Sequence, residues 1–102
     1  MVKYQVRFSR QAQKDKQLIQ GAGLERKARE LIKIISEEPF RNPPPYEKLI
    51  GNFAGCYSRR INLQHRFVYE VLENTEQLTD ENGVKYEGIV RVLRMWTHYE
   101  RL

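Results

Sequence analysis

Gly55-Cys56-Tyr57-Ser58-Arg59-Arg60-Ile61, then Asn62-Leu63-Gln64, then His65-Arg66-Phe67-Val68-Tyr69-Glu70-Val71-Leu72 run without interruption, and this stretch decides the fold. Residues 56–61 and 65–72 have the aromatic and β-branched composition of strands, and Asn62-Leu63-Gln64 is a polar break between them. The pattern predicts a β-hairpin. With a three-residue loop, Arg60 faces Arg66 across the pair. Like charges so placed repel. Either both point into water, or a phosphate lies between them, since guanidinium forks match phosphate oxygens. The pattern alone leaves both readings open.

Working outward, Ile89 to about Thr97 repeats the strand pattern, with Trp96 on the face of Val90 and Val92 and therefore expected in the core. Residues 73–88, which include Asn82-Gly83, read as an extended acidic hairpin or loop. Upstream, Asn42-Pro43-Pro44-Pro45 predicts an extended, stiff crossing, because proline supplies no ladder donor. Before it, Leu24, Ala28, Leu31, Ile32 and Ile35 form one helical stripe that Pro39 terminates. Ser9 is a candidate N-cap for an earlier short helix ending at Gly21-Ala22-Gly23. In residues 3–8, Tyr4, Val6 and Phe8 share one face of a first strand. Strand, two helices and a run of strands predict an α+β fold, with the two N-terminal helices packed on one face of a mainly antiparallel β-sheet.

The chain has 102 residues, enough for a single domain spanning 1–102 with one core. It contains no apolar run of membrane-spanning length and no signal-peptide stretch, so a soluble cytoplasmic protein without membrane contact is expected. One cysteine and two histidines make a poor zinc inventory, and neither a metal nor another cofactor is expected. The formal charge of +5 is unevenly spread: residues 73–88 set five carboxylates against Lys85 alone, a local net of −4, which leaves +9 on the remainder. Such a basic body is suited to polyanions.

Individually, the polar candidates say little. Glu47, after the proline run, reads first as a solvated surface carboxylate, and His98, after the last strand, as structural. Tyr57 and Tyr69 look like packing residues, and Cys56 like a small inert hydrophobe.

Taken together they converge. Tyr46-Glu47-Lys48-Leu49, Gly55-Cys56-Tyr57-Ser58-Arg59-Arg60-Ile61, His65-Arg66-Phe67-Val68-Tyr69 and the closing His98-Tyr99 resemble the YoeB/Txe toxins of the RelE superfamily, as does the helix end at Glu38-Pro39-Phe40. This resemblance covers the whole chain apart from the acidic segment. It implies the strand order β-α-α-β-β-β-β and a metal-free endoribonuclease that cleaves mRNA in the A site of the ribosome and so inhibits translation. It also implies restraint by a cognate antitoxin of the YefM/Axe type, operator DNA binding only as the toxin–antitoxin complex, and a homodimer as a further association. Glu47 matches the family's general base, Arg66 the arginine that stabilises the transition state, and His98 the general acid. Arg60 and Arg59 match phosphate- or RNA-binding positions, and Tyr99 the tyrosine beside the acid. Three features depart from the family pattern. Tyr57 stands where relatives have tryptophan. Ile50 replaces a frequent lysine, whose charge Lys48 is expected to supply although its strand parity points it elsewhere. The acidic segment is longer than the usual turn. The competing expectation is a non-catalytic, antitoxin-binding corepressor module of the same fold.

Overall fold

The computed structural model describes residues 2–98. Strand β1 (Tyr4–Phe8) leads into helices α1 (Arg10–Gly21) and α2 (Glu25–Glu37), followed by the two-residue strand β2 (Glu47–Lys48), β3 (Cys56–Arg60), β4 (His65–Glu73) and β5 (Gly88–His98). The five strands form one sheet in the order β1-β5-β4-β3-β2. All neighbouring pairs are antiparallel except β1 with β5. The fold is therefore α+β, with both helices against a mainly antiparallel sheet.

Local chemistry explains the helix boundaries. Ser9 caps α1 as expected: its Oγ accepts from Ala12 N at 3.0 Å and donates to Leu93 O at 2.8 Å, so the cap also ties the helix to β5. The chain leaves α1 through Gly23 at φ +73°, a conformation that disfavours side chains. On α2, Ala28, Leu31 and Ile35 are buried and Ile32 packs at the margin, as does Leu24 at the N-cap, which is the predicted stripe. They meet Phe67, Tyr69, Val90, Val92 and Met95 from the sheet, with Tyr4, Val6, Phe8 and Trp96 partly buried around them.

Two segments settle questions that the pattern left open or answered otherwise. Between Glu73, the last residue of β4, and Gly88, the first of β5, the acidic segment forms a loop, with a single bridge between Thr79 and Lys85 in place of a β-arm. Asn74 ties its base by donating to Leu78 O and Tyr86 O, while Asp80 accepts from the amides of Asn82 and Val84 around the Gly83 turn. The proline crossing is not extended; it turns and bends over residues 39–44. At the bend lies Arg59, 1% exposed, whose guanidinium binds the backbone carbonyls of Pro39, Arg41 and Pro44.

Candidate functional site

In a strand alternate side chains take opposite faces, and here one face is covered by the helices. The open face carries Glu47 on β2, Ser58 and Arg60 on β3, Arg66 and Val68 on β4, and Thr97 on β5. The register sets Glu47 opposite Ser58, Ser58 opposite Val68, and Arg66 between Arg60 and Thr97. The hairpin loop is three-residue in effect, so Arg60 and Arg66 do face one another, Arg60 in solvent and Arg66 buried.

Arg66 is the centre of the site. Its Nη1 donates to Glu47 Oε2 at 2.9 Å and to Ser58 Oγ at 3.0 Å, and its Nη2 lies 3.5 Å from Glu47 Oε1. The guanidinium is 4% exposed and the Glu47 side chain 58% exposed, so a ligand approaching from solvent meets the carboxylate first and the cation behind it. Ser58 was not singled out from sequence. Its signal was its place two residues before Arg60, which puts it on the same strand face.

Glu47 is held through its neighbours. The Tyr46 ring packs against Phe40 and Tyr57, each at a centroid distance of 5.9 Å, and Arg59 lies 5.0 Å from the Tyr46 ring centroid. Tyr57, in the tryptophan position, also meets Phe40 edge-on at 4.9 Å, so an aromatic of smaller area keeps the cluster closed.

Arg59 is a correction to the sequence analysis, which grouped it with Arg60 as an RNA contact. Its Nη1 donates to Pro44 O at 2.6 Å, its Nη2 to Pro39 O at 3.0 Å and Arg41 O at 2.8 Å, and its Nε to the Tyr69 hydroxyl at 3.1 Å. Neighbouring strand positions point to opposite faces, so one of two adjacent arginines had to turn inward. Tyr69 in turn donates to Pro39 O at 2.7 Å; burial pushes its hydroxyl pKa up, with Arg59 opposing. Lys48 stands where its strand parity points, away from the position of the suggested charge. It pairs with Tyr57 and stands on the face opposite Glu47, while Ile50 is fully out in solvent, so neither fills the position of the missing lysine.

The backbone of His98 ends β5 opposite His65, one strand from Arg66. Tyr99 lies outside the described residues. His65 itself stacks on Trp96 at 3.7 Å and is buried at the hairpin end. Cys56 is buried on the open face, and burial followed by the nearby Glu70 raises its thiol pKa, which disfavours a thiolate nucleophile. Among the described residues no group of three or more His, Cys, Asp or Glu side chains is placed to hold a metal ion. No described helix is long and apolar enough to cross a membrane. A cleft of about 500 Å³ lined by Lys3, Tyr4, Glu38 and Arg41 among others contains none of the predicted site residues. On the sheet face that carries the candidate site Glu47 and Arg60 are exposed, while Ser58, Arg66, Val68 and Thr97 are buried.

The β5 strand reaches this site through an irregularity that sequence did not show. Its register against β4 shifts twice between Val92 and Thr97. Asp15 on α1, 1% exposed, receives the displaced amides: its Oδ2 accepts from Met95 N at 2.9 Å, Trp96 N at 3.2 Å and Arg94 Nε at 2.9 Å. Burial alone would raise its pKa, but these hydrogen bonds and that from Gln11 outweigh it and hold the carboxyl below its ordinary value.

Comparison with solved structures gives the class first. Over 93% of this chain and 99% of the other, the fold matches a YoeB/ParE toxin from Agrobacterium tumefaciens with a TM-score of 0.71 at 27% identity. It matches the toxin chain in a heterotetrameric YoeB-YefM toxin-antitoxin complex from Staphylococcus aureus with a TM-score of 0.67 at 31% identity, over 94% and 98% of the two chains. These are toxins of the RelE superfamily. Residues 8–82 match the family described as YoeB-like toxin of bacterial type II toxin-antitoxin system, and the chain belongs to that family. Among curated proteins, Toxin YoeB of Synechocystis is 39% identical over 61 residues, 60% of this chain, and Toxin YoeB of Escherichia coli is 40% identical over 50 residues, 49% of this chain. These alignments span 64% and 60% of the respective relatives, so the chain covers somewhat under two thirds of their length.

Proposed function

We propose that this chain is the toxin of a type II toxin–antitoxin pair and cleaves mRNA on the ribosome, in the cytoplasm, by metal-free acid–base chemistry. The observation that carries the reading is the direct contact, at 2.9 Å, between a half-exposed carboxylate, Glu47, and a buried arginine, Arg66, 19 residues apart in sequence. RNA cleavage of this kind needs a base, a cation at the phosphate and an acid. Glu47 takes the proton from the 2′-hydroxyl, whose oxygen attacks the adjacent phosphorus. Arg66, with Arg60 beside it, stabilises the added negative charge on the phosphorane. As the bond from phosphorus to the 5′-oxygen breaks, His98 delivers a proton to the leaving oxygen, with Tyr99 beside it. The products are a 2′,3′-cyclic phosphate and a 5′-hydroxyl.

The partners follow from the family. One solved relative is described as a heterotetrameric complex with YefM and another as a YoeB dimer. A cognate antitoxin of that type covers the cationic site until it is removed, the pair binds operator DNA, and the toxin chain self-associates. The basic body of the protein suits a disordered acidic antitoxin segment that folds on binding.

The test is primer extension on a defined mRNA in a cell-free translation reaction, comparing the wild-type chain with folded Glu47→Gln, Arg66→Lys and His98→Gln variants. Cleavage at discrete codon positions, lost in the variants, supports the assignment. A folded wild-type chain that leaves the message intact would replace the enzyme with the antitoxin-binding module.

A further inference from the structure

The open face carries a second arginine pair that the site chemistry does not use. On the parallel ladder of β1 with β5, Val6 pairs with Val90 and Phe8 with Val92 on the helix side, which places Arg7 opposite Arg91 on the same open face as Glu47 and Arg66. Both arginines are exposed, Arg91 at 48%. Arg7 Nε donates to Gln5 Oε1 at 2.8 Å, and Arg91 Nη1 lies 3.3 Å from Glu70 Oε1. Arg94, three residues further along β5, is committed to Asp15. Directly opposed like charges destabilise a sheet, yet this face contains two such pairs, Arg60 with Arg66 and Arg7 with Arg91. Glu70, the β4 partner of Arg91, is four residues from Arg66, so the second pair stands roughly 13 Å along the sheet from the first and one to two strands aside. A single nucleic-acid strand covers that span in a few nucleotides.

The geometry points to Arg7 and Arg91 as a second phosphate subsite, which holds an RNA strand on the open sheet face at a distance from the Glu47–Arg66 centre. The inference rests on the ribonuclease reading and extends it. Around Arg7 and Arg91 RNA fits better than an acidic peptide, because Leu72, 42% exposed, is the sole large exposed hydrophobic among the described positions of β1, β4 and β5; the exposed Ile50 and Leu63, which a segment folding on binding would use, belong to the loops at the Glu47–Arg66 end. The subsite positions the strand through its backbone and is blind to base identity. Glu70 competes with phosphate for Arg91 and sets how tightly the subsite binds.

The experiment measures equilibrium binding in the Glu47→Gln background, which prevents cleavage, against a fluorescein-labelled single-stranded RNA and, separately, against isolated small ribosomal subunits. For Arg7→Gln with Arg91→Gln, folding checked by thermal melting, the slope of log K against log salt should become shallower by about 1.4 with the RNA strand, two phosphate contacts at about 0.7 each. A change confined to the ribosomal subunits makes ribosomal RNA the source of the phosphates, and one with the free strand makes it the message. Glu70→Gln should tighten binding several-fold. It tests the same idea without removing an arginine, should the double variant fail to fold. Unchanged slopes in both arms, or an unchanged affinity of Glu70→Gln, would overturn the proposal. With Glu47 restored, a wild-type chain that leaves the ribosome-bound message intact, while RNA binding still depends on Arg7 and Arg91, refutes the ribonuclease reading alone. Cleavage by the wild-type chain, together with salt slopes unaltered by Arg7→Gln and Arg91→Gln, refutes the subsite alone.

Discussion

Replacing Arg59 by methionine separates a structural arginine from a ligand-binding one next to it in sequence. Methionine keeps an unbranched apolar stem, ends two atoms short of the terminal guanidinium nitrogens and removes every donor. Lost are three hydrogen bonds to the carbonyls of Pro39, Arg41 and Pro44, one to Tyr69, and the cationic contact with the Tyr46 ring. Hydrogen bonds from a charged donor contribute about 1.5–3 kcal/mol each, and they do not add independently when they share one group. With these carbonyls gathered around one buried side chain, the loss should be about 3–5 kcal/mol, the range seen when a buried charged network is broken. For a domain of this length that corresponds to a fall in Tm of roughly 12 °C or more. Arg60→Ala, in solvent on the next residue, should shift stability by about 0.5 kcal/mol or less while weakening RNA binding. The assay is urea denaturation followed by Trp96 fluorescence, paired with RNA binding at a temperature where both variants are folded. An Arg59→Met protein as stable as wild type but defective in RNA binding would refute the structural assignment.

Three further outcomes follow from the same contacts. Glu47→Gln should keep its contact with Arg66, and Arg66 its own contact with Ser58, with most of the stability retained while cleavage falls by about 100- to 10,000-fold, measured by primer extension against the melting curve. Asp15 has a depressed folded-state pKa, so in acid the unfolded chain binds more protons; its contribution is present above the ordinary aspartate value of 3.8 and lost as pH falls below it. Urea midpoints between pH 6 and pH 2 should therefore fall more shallowly in Asp15→Asn than in wild type, from a lower starting stability. Cys56, buried with a raised pKa, should resist iodoacetamide at neutral pH in the native chain and react after denaturation, and Cys56→Ala should cleave as wild type.

How much was legible in the sequence depended on the range of the interaction. The hairpin, the α2 stripe and the Ser9 cap are set by neighbours within a few residues, and their residue patterns state them directly. Glu47 and Arg66 were legible as family positions, but their contact depends on β2 pairing with β3, a two-residue strand with no hydrophobic alternation to announce it. Arg59 and Arg60 show the limit most sharply. Identical side chains on adjacent residues have opposite fates because strand parity sends one to each face, and which goes inward is decided by carbonyls up to 20 residues away. The proline crossing differs for a related reason: local stiffness predicted an extended path, while in the structure the segment bends around a guanidinium that lies 15 to 20 residues away in sequence.

The β5 irregularity shows how fold and site are joined. A run from Ile89 to Thr97 looks like an unbroken strand, and an unbroken antiparallel ladder would keep one register from Glu73 to the hairpin end. Two extra residues enter between Val92 and Thr97 instead, and their amides would be costly to bury unpaired. Asp15 lies 79 to 81 residues away in sequence and has no apolar periodicity of its own to mark it, yet it supplies the acceptor. Because the two shifts together restore parity, Trp96 returns to the helix side and Thr97 to the open face beside Arg66. A single shift would have exchanged them. The buried carboxylate on α1 therefore determines which face the end of β5 presents to the Glu47–Arg66 centre, so the helical layer, remote from RNA on the proposed reading, sets the geometry of the site through one side chain.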